Sequence, residues 1–120
     1  MILTLTLNPA VDTNYAVDRL VFEDRAYILS TSRSAGGRGI NASSVIHAFG
    51  GATEAVATVG GEAGATFESL LKDCGFPAHL VRIESEIRHN ITITDLQGLT
   101  VKLNEKGPEL RQQDWERVER

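Results

Sequence analysis

Residues 34–44 read SAGGRGINASS. In this stretch three glycines and an arginine lead directly into a segment with helical periodicity, and the other predicted elements lie on either side of it. Glycine tolerates positive φ and lets another group approach the backbone closely. A helix that begins from such a turn presents unpaired N–H groups and the positive end of its dipole, which together favour an anion. Arg38 adds a permanent charge, and Asn41 lies too far into the helix to be its N-cap. An ordinary tight turn before a helix is the simpler interpretation, but Arg38 and Asn41 favour a binding site.

On the carboxyl side of this turn, helical and extended patterns alternate. The apolar stripe of the first helix recurs at i, i+3, i+4 and i+7, at Ala42, Val45, Ile46 and Phe49, and Gly50-Gly51 ends it. A compact apolar strand is predicted at 53–59. The stripe of a second helix consists of Phe67, Leu70, Leu71 and Cys74. Another strand follows at 79–83, and this order predicts an α/β core with a parallel sheet and flanking helices.

On the amino side, residues 1–8 (MILTLTLN) predict an opening strand that ends at Pro9. Asp12 would then lie at the carboxyl end of that strand, where open α/β sheets place ligand contacts. A turn or capping role is the simpler interpretation of Asp12. Segments 14–18 and 27–34 are too polar for strands buried on both faces, so they predict a small antiparallel sheet outside the core.

Near the carboxyl end the hydrophobic period returns to two. Residues 90–94 and 99–103 alternate on either side of Asp95-Leu96-Gln97-Gly98, which predicts a β-hairpin that joins the polar strands as a lid. Residues 112–120 begin another helix, but no C-terminal signal follows. We interpret this ending as a truncation.

Composition narrows the functional classes. The 120 residues include 12 Lys and Arg against 16 Asp and Glu, a net charge of −4 that argues against a nucleic-acid or anionic-membrane surface. The single cysteine, Cys74, forms no internal disulfide, and neither it nor His47, His79 and His89 has metal-site spacing. The sequence shows neither a signal peptide nor an apolar run of membrane-spanning length, so we expect a cytoplasmic protein.

Five segments together resemble the amino-terminal portion of a ribokinase-like carbohydrate kinase of the PfkB type. The chain is most similar to the branch of 1-phosphofructokinases and tagatose-6-phosphate kinases. The matching segments are MILTLTLNPAVD (1–12), SAGGRGINASSVIHAFGG (34–51), ATVGGEAGATFESLLKDCG (57–75), IRHNITI (87–93) and VKLNEKGPEL (101–110).

The resemblance implies an α/β core with a β lid, its strands near 14–34 and 88–104, that closes over the sugar and pairs with the lid of a second subunit in a homodimer. It implies a sugar-phosphate site at Asp12, Gly36, Gly37, Arg38, Gly39, Asn41 and Arg88. Asp12 and Asn41 would hold sugar hydroxyls, and the glycine turn would let the sugar rest against the backbone. Arg88 would bind the phosphate already on the substrate, a role that suits a planar guanidinium.

Two departures from the family pattern concern charge. Arg38 stands where close relatives usually have lysine, and Tyr27 stands where many have an arginine shortly before the glycine turn. Arg25, two residues away, is a candidate substitute for that phosphate contact, within the subunit or across a subunit boundary.

The family's catalytic aspartate and most of its nucleotide pocket are expected beyond residue 120. The resemblance therefore implies that the whole protein uses ATP and Mg²⁺ to phosphorylate a ketohexose monophosphate. Fructose 1-phosphate is the first candidate substrate. Tagatose 6-phosphate and fructose 6-phosphate are the alternative substrates. This chain would hold only the sugar side, and alone we expect it to be inactive.

Two other functions remain open from the sequence. Residues 37–42 satisfy G-x-G-x-x-A, and Glu54 and Glu62 lie within reach of the expected acidic position, which is typical of dinucleotide binding. That fingerprint must follow a buried parallel strand, and 27–34 is polar. The other alternative is a sugar-phosphate-binding module without chemistry of its own.

Overall fold

The computed structural model describes residues 1–119, which form two β-sheets and three helices. The elements are β1 (Ile2–Thr6), β2 (Ala10–Val17), β3 (Ile28–Gly36), α1 (Arg38–Ala48), β4 (Thr53–Val59), α2 (Gly61–Lys72), β5 (Ala78–Arg82), β6 (Arg88–Thr94), β7 (Thr100–Asn104) and α3 (Gln112–Glu119). The predicted helix at 112–120 is thus confirmed through residue 119, and Arg120 lies outside the described residues. Within residues 1–119, no helix combines the length and the hydropathy needed to cross a membrane.

The core sheet has the strand order β1-β4-β5, and both pairs of neighbours are parallel. This confirms the predicted parallel sheet. Helix α2 packs on β2, β3 and β4. Its Phe67 and Leu71 are buried in the core cluster, and Leu70 and Cys74 are partly buried against the same cluster. The apolar stripe predicted for this second helix is therefore correct.

The stripe predicted for the first helix is wrong. Val45 and Phe49 are 57% and 88% exposed, whereas Ile40 and Ser43 are completely buried. Hydroxyl groups make the contact of α1 with the core sheet: Ser43 Oγ lies 2.7 Å from Thr4 Oγ1 and 2.9 Å from Thr53 Oγ1, which donates to the Ile2 carbonyl. Apolar periodicity marked the wrong side of α1 because its buried side has only one apolar residue, Ile40, beside the polar Ser43.

The second sheet has the order β3-β2-β6-β7 and stands apart from the core sheet, which confirms a separate lid. It differs from the predicted lid in two respects. Strand β2 begins at Ala10, directly after Pro9, and β2 pairs with β6 in parallel, so the sheet is mixed. Parallel pairing is reached by a long crossover and leaves no hairpin signal in the sequence.

The predicted hairpin between β6 and β7 is confirmed, and Asp95 organises its turn. The buried Asp95 carboxylate accepts backbone N–H groups from Gln97 at 2.9 Å and Leu99 at 3.0 Å. It also accepts the N–H of Leu20 at 3.3 Å. Asp95 therefore ties the β2–β3 loop to the hairpin.

The lid sheet has two chemically different faces because side chains alternate along each strand. We call one the polar face, which carries Asp12, Asn14, Ser34, Arg88, Asn90, Thr92, Lys102 and Asn104. We call the other the apolar face, which carries Val11, Tyr15, Val17, Ile91, Ile93, Val101 and Leu103. Helix α2 packs on β2 and β3, yet Val101 and Leu103 remain 41% and 54% exposed.

Candidate functional site

The glycine turn connects β3 to α1 and is packed tightly against its surroundings. A Cβ at Gly36 would collide with the Asp12 carboxylate, and one at Gly37 would lie 2.6 Å from Thr6 Cγ2. Gly37 also has φ of 121°, which L side chains rarely adopt. A Cβ at Gly39 would lie 2.9 Å from the Leu5 carbonyl oxygen. The structure thus gives these glycines a packing role, and their contact with a sugar stays a prediction.

Asp12 does not lie at the end of β1, as the sequence predicted, but inside β2, because the chain resumes an extended conformation directly after Pro9. Its register partners are Ser34 on β3 and Asn90 on β6. Asn90 Nδ2 donates a hydrogen bond of 3.2 Å to Asp12 Oδ1. The carboxylate is therefore held on the polar face of the lid.

Asp12 lines a cavity of about 230 Å³ on the polar face, which we call the Asp12 cavity. Its other lining residues are Asn14, Ser34, Asn90, Thr92, Lys102 and Asn104. Among the described residues, the buried Asn90 Oδ1 has no hydrogen-bond partner. A carboxylate, amides and hydroxyls in one hollow can bind several hydroxyl groups at once. Apart from Asp12, sequence reasoning missed this set, because only strand register brings β2, β6 and β7 together.

A second cavity, of about 350 Å³, lies where β1 ends and α1 begins, and we call it the arginine cavity. It is lined by Leu5, Thr6, Leu7, Asn8, Arg38, Gly39 and Arg88. Arg88 Nε donates to the Asn8 carbonyl at 3.2 Å, which orients the guanidinium. The N-cap of α1, Gly37, makes no side-chain cap, and the first turn has no acidic residue. Two guanidinium groups beside an uncapped helix N-terminus suit a phosphate group.

Asn41 lines a third cavity, of about 380 Å³, together with Ser34, Cys74 and other residues of α1, α2 and β3. Ser34 borders both this cavity and the Asp12 cavity, so the two hydroxyl-binding candidates are neighbours. Burial raises the pKa of the Cys74 thiol, and the neighbouring Asp73 carboxylate raises it further. The thiol stays protonated at neutral pH and is not an activated nucleophile.

Arg25 and Tyr27 lie at the opposite end of the lid from the glycine turn. The Arg25 backbone N–H donates to Asp24 Oδ1, and the Tyr27 N–H donates to Asp18 Oδ1, both at 2.8 Å. These contacts order the loop between β2 and β3. The three cavities described above are not lined by Arg25. A phosphate contact from Arg25, within one subunit or across a subunit boundary, therefore stays a prediction.

Two further chemistries, a metal site and a dinucleotide site, depend on clustered ligands and on the strand before the glycine turn. Within residues 1–119, no three His, Cys, Asp or Glu side chains lie close enough together to hold a metal ion. The dinucleotide alternative requires a buried parallel strand before the glycine turn. Instead, β3 is the edge strand of the lid, exposed along most of its length and antiparallel to β2. The G-x-G-x-x-A match therefore lacks its structural context.

Comparison with known proteins gives consistent matches. A family model described as pfkB family carbohydrate kinase matches residues 5–119. Tagatose-6-phosphate kinase from Staphylococcus epidermidis is 34% identical over 116 residues, which are 97% of this chain and 37% of that protein. Phosphofructokinase-2 from Escherichia coli, in its complex with fructose 6-phosphate, superposes with a TM-score of 0.92 at 27% identity, over 98% of this chain and 39% of that one.

A third relative is a protein from Thermotoga maritima, described as a possible 1-phosphofructokinase. It superposes with a TM-score of 0.88 at 30% identity, over 98% of this chain and 39% of that one. The tetrameric inhibited form of the E. coli enzyme also superposes, with a TM-score of 0.89 at 27% identity over 98% of this chain and 39% of that one. The chain spans less than two fifths of the length of these relatives.

Proposed function

Because the chain belongs to the pfkB family of carbohydrate kinases, we propose that the whole protein transfers the γ-phosphoryl group of ATP to a hydroxyl of a ketohexose monophosphate. This chain forms the sugar side of the site and is the amino-terminal part of a single kinase domain. The observation that carries the proposal is the position of Arg88 and Asn90, two residues apart on one face of β6. They join the arginine cavity to the Asp12 cavity, and so a phosphate-binding group to a hydroxyl-binding group.

The chemical work of this chain is to bind and orient the acceptor. Asp12 accepts hydrogen bonds from sugar hydroxyls, and Asn41 holds a hydroxyl on the other side of Ser34. Arg88 pairs with the phosphate of the sugar, while Arg38 and the N-terminus of α1 add positive potential beside it. Such positioning is a major part of catalysis in phosphoryl transfer.

ATP supplies the phosphoryl group, and Mg²⁺ neutralises its charge. We propose that both are bound by parts of the whole protein outside this chain, because the family resemblance places most of the nucleotide pocket beyond residue 120. A cytoplasmic location agrees with the proposed use of ATP and sugar phosphates.

The proposed sugar is fructose 1-phosphate, which would yield fructose 1,6-bisphosphate. The chain's likeness to the T. maritima protein supports this choice. Tagatose 6-phosphate is the second candidate, because a tagatose-6-phosphate kinase is 34% identical to this chain. Fructose 6-phosphate is the third, since it is bound by the E. coli enzyme that superposes on the chain.

The test is a comparison of kcat/KM for the whole protein with fructose 1-phosphate, tagatose 6-phosphate, fructose 6-phosphate and unphosphorylated ribose, each with ATP and Mg²⁺. We expect the highest value for fructose 1-phosphate and a large loss for ribose. A clear preference for ribose would contradict the sugar-phosphate proposal. Sugar-phosphate binding without ADP formation would instead identify a binding module.

We also propose that the whole protein is a homodimer that pairs through the lid. The exposed part of the apolar face, with Val101 and Leu103, and the open edges of β3 and β7 favour association with a second copy. The tetrameric form of the E. coli relative shows that a protein similar to this chain assembles into oligomers.

A further inference from the structure

We propose that Lys102, on the lid hairpin, is a specificity-determining residue that holds the phosphate of the sugar together with Arg88. This inference rests on the proposed function and deepens it. The residues around the glycine turn indicated Arg38 for phosphate and the family resemblance indicated Arg88, whereas Lys102 emerges only from the register of β7 on β6.

The strand register places Lys102 beside the hydroxyl-binding residues. Lys102 pairs with Thr92, and Asn104 pairs with Asn90, which in turn pairs with Asp12. All five side chains line the Asp12 cavity, in which Lys102 is the only cationic residue. In the described part of the chain Lys102 forms no salt bridge, so its ammonium group is free to bind an anion.

Arg88 and Lys102 both lie on the polar face, Arg88 at the start of β6 and Lys102 on the neighbouring strand β7. Arg88 lies four residues from Thr92 along β6, and Lys102 is opposite Thr92 on the neighbouring strand. A rise of about 3.3 Å per residue and a strand spacing of about 4.8 Å put their Cα atoms roughly 14 Å apart. Two long cationic side chains on one face can close this separation around a phosphate that lies between them.

This arrangement divides the site into two sides. The β6–β7 side, with Arg88 and Lys102, carries the positive charge. The β2–β3 side, with Asp12 and Ser34, carries groups that bind hydroxyls. The unpartnered Asn90 Oδ1 lies between them, where a sugar hydroxyl can donate to it. A ketohexose phosphate, polar and uncharged along its carbon chain and anionic at one end, has the matching distribution of charge.

The test compares Lys102→Gln with Lys102→Arg in the whole protein. Lys72→Gln is the matched control, because Lys72 lies in the last turn of α2 and lines a different cavity. Calorimetric binding of the sugar phosphate and of the same sugar without phosphate is measured in the absence of ATP, and KM is measured for both substrates.

We expect Lys102→Gln to weaken sugar-phosphate binding about tenfold, as the loss of one charge-assisted contact does. Binding of the unphosphorylated sugar and KM for ATP should stay unchanged, and Lys102→Arg should retain most of the affinity. In the Arg88→Ala/Lys102→Gln double variant the losses should be non-additive, because both residues bind one phosphate.

An equal loss for the phosphorylated and unphosphorylated sugars, or no loss for either, would overturn the role of Lys102 while leaving the proposed function intact. Additive losses would overturn the shared phosphate. If the wild-type protein binds no sugar phosphate at all, the proposed function fails, and this inference fails with it. Thermal melting of each variant checks that the fold is unchanged.

Discussion

At the scale of single residues, Asn90 has the most distinctive environment in the site. Its amide nitrogen donates to Asp12, and its buried carbonyl oxygen has no partner among the described residues. Leaving a buried acceptor without a partner costs about 1–3 kcal/mol, which a bound hydroxyl would recover. We expect Asn90→Ala to raise KM for the sugar about tenfold, since it removes this acceptor and also frees Asp12 to rotate.

The control for Asn90→Ala is Gln97→Ala in the exposed hairpin turn. Steady-state kinetics with the sugar phosphate and with ATP separate the two possibilities. A loss confined to ATP, or the same loss in the control, would contradict a role of Asn90 in sugar binding.

A second residue-scale prediction concerns Asp18. The N–H of Tyr27 holds the pKa of the Asp18 carboxyl below its ordinary value of 3.8. Because the pKa is lower in the folded state, the charged carboxylate contributes stability above the ordinary value, and that contribution is lost as the pH falls through the folded-state pKa. We expect the hydrogen bond to Asp18 to protect the Tyr27 amide from exchange at neutral pH. This protection should be lost as the pH falls below the ordinary value of about 3.8.

Hydrogen exchange followed by NMR over this pH range is the measurement for Asp18. Asp18→Ala should exchange rapidly at Tyr27 at every pH, whereas Asp24→Ala should keep the wild-type pattern, because Asp24 accepts from Arg25 instead. Identical pH profiles for Asp18→Ala and the wild type would rule out this role of the carboxylate.

The sequence named candidate site residues but not their neighbours. Residue type and local spacing indicated the glycine turn and Arg38, whereas the family resemblance indicated Arg88. Asn90 and Lys102 were not indicated, because alternation shows which residues share a face of one strand but not which strands lie side by side. Asp12 was placed at the wrong point because Pro9 was interpreted as the end of a strand, whereas it precedes a new one.

At the scale of elements, α1 and α2 show when hydrophobic periodicity identifies the buried face of a helix. The buried side of α2 is apolar, so its period matched its packing. The buried side of α1 depends on a chain of hydroxyls through Ser43, which a hydrophobic pattern does not detect. The same period of about four residues thus predicted the correct face of one helix and the wrong face of the other.

The hydroxyl chain gives an element-scale prediction. Ser43→Ala removes the shared partner of Thr4 and Thr53, which should lower the free energy of unfolding by about 1–3 kcal/mol. Ser44→Ala, the neighbouring and half-buried position, should change it by less than about 0.5 kcal/mol. Urea unfolding midpoints of the two variants test this difference, and equal midpoints would mean that the hydroxyl chain does not anchor α1.

At the scale of the whole molecule, the lid extends away from the core. The Cα radius of gyration is 16.0 Å, whereas a domain of 120 residues is expected to have about 13.5 Å. Only the β7 part of the lid's apolar face, with Val101 and Leu103, is left exposed, whereas Val11 and Val17 on β2 are buried. The polar character of its strands led the sequence analysis to predict a sheet separate from the core. The parallel pairing of β2 with β6 was not predicted.

The dimer proposal is tested at this scale. We expect the wild-type protein to sediment as a dimer and Ile93→Glu, on the apolar face, to sediment as a folded monomer, because a buried charge opposes association. Thr100→Glu, on the same hairpin but with its side chain on the opposite face, should remain dimeric. If Ile93→Glu stays a well-folded dimer, the interface lies elsewhere.

The parallel pairing of β2 with β6 also bears on how the molecule folds. The register partners Asp12 and Asn90 are separated by 78 residues, so the two halves of the polar face are remote in the chain. Contacts of such high sequence separation carry a loop-closure cost and form slowly compared with helices and hairpins. The intervening β4, α2 and β5 can form first and bring β6 beside β2. A nascent chain would therefore complete its core before the two halves of the polar face, and with them the proposed sugar site, come together.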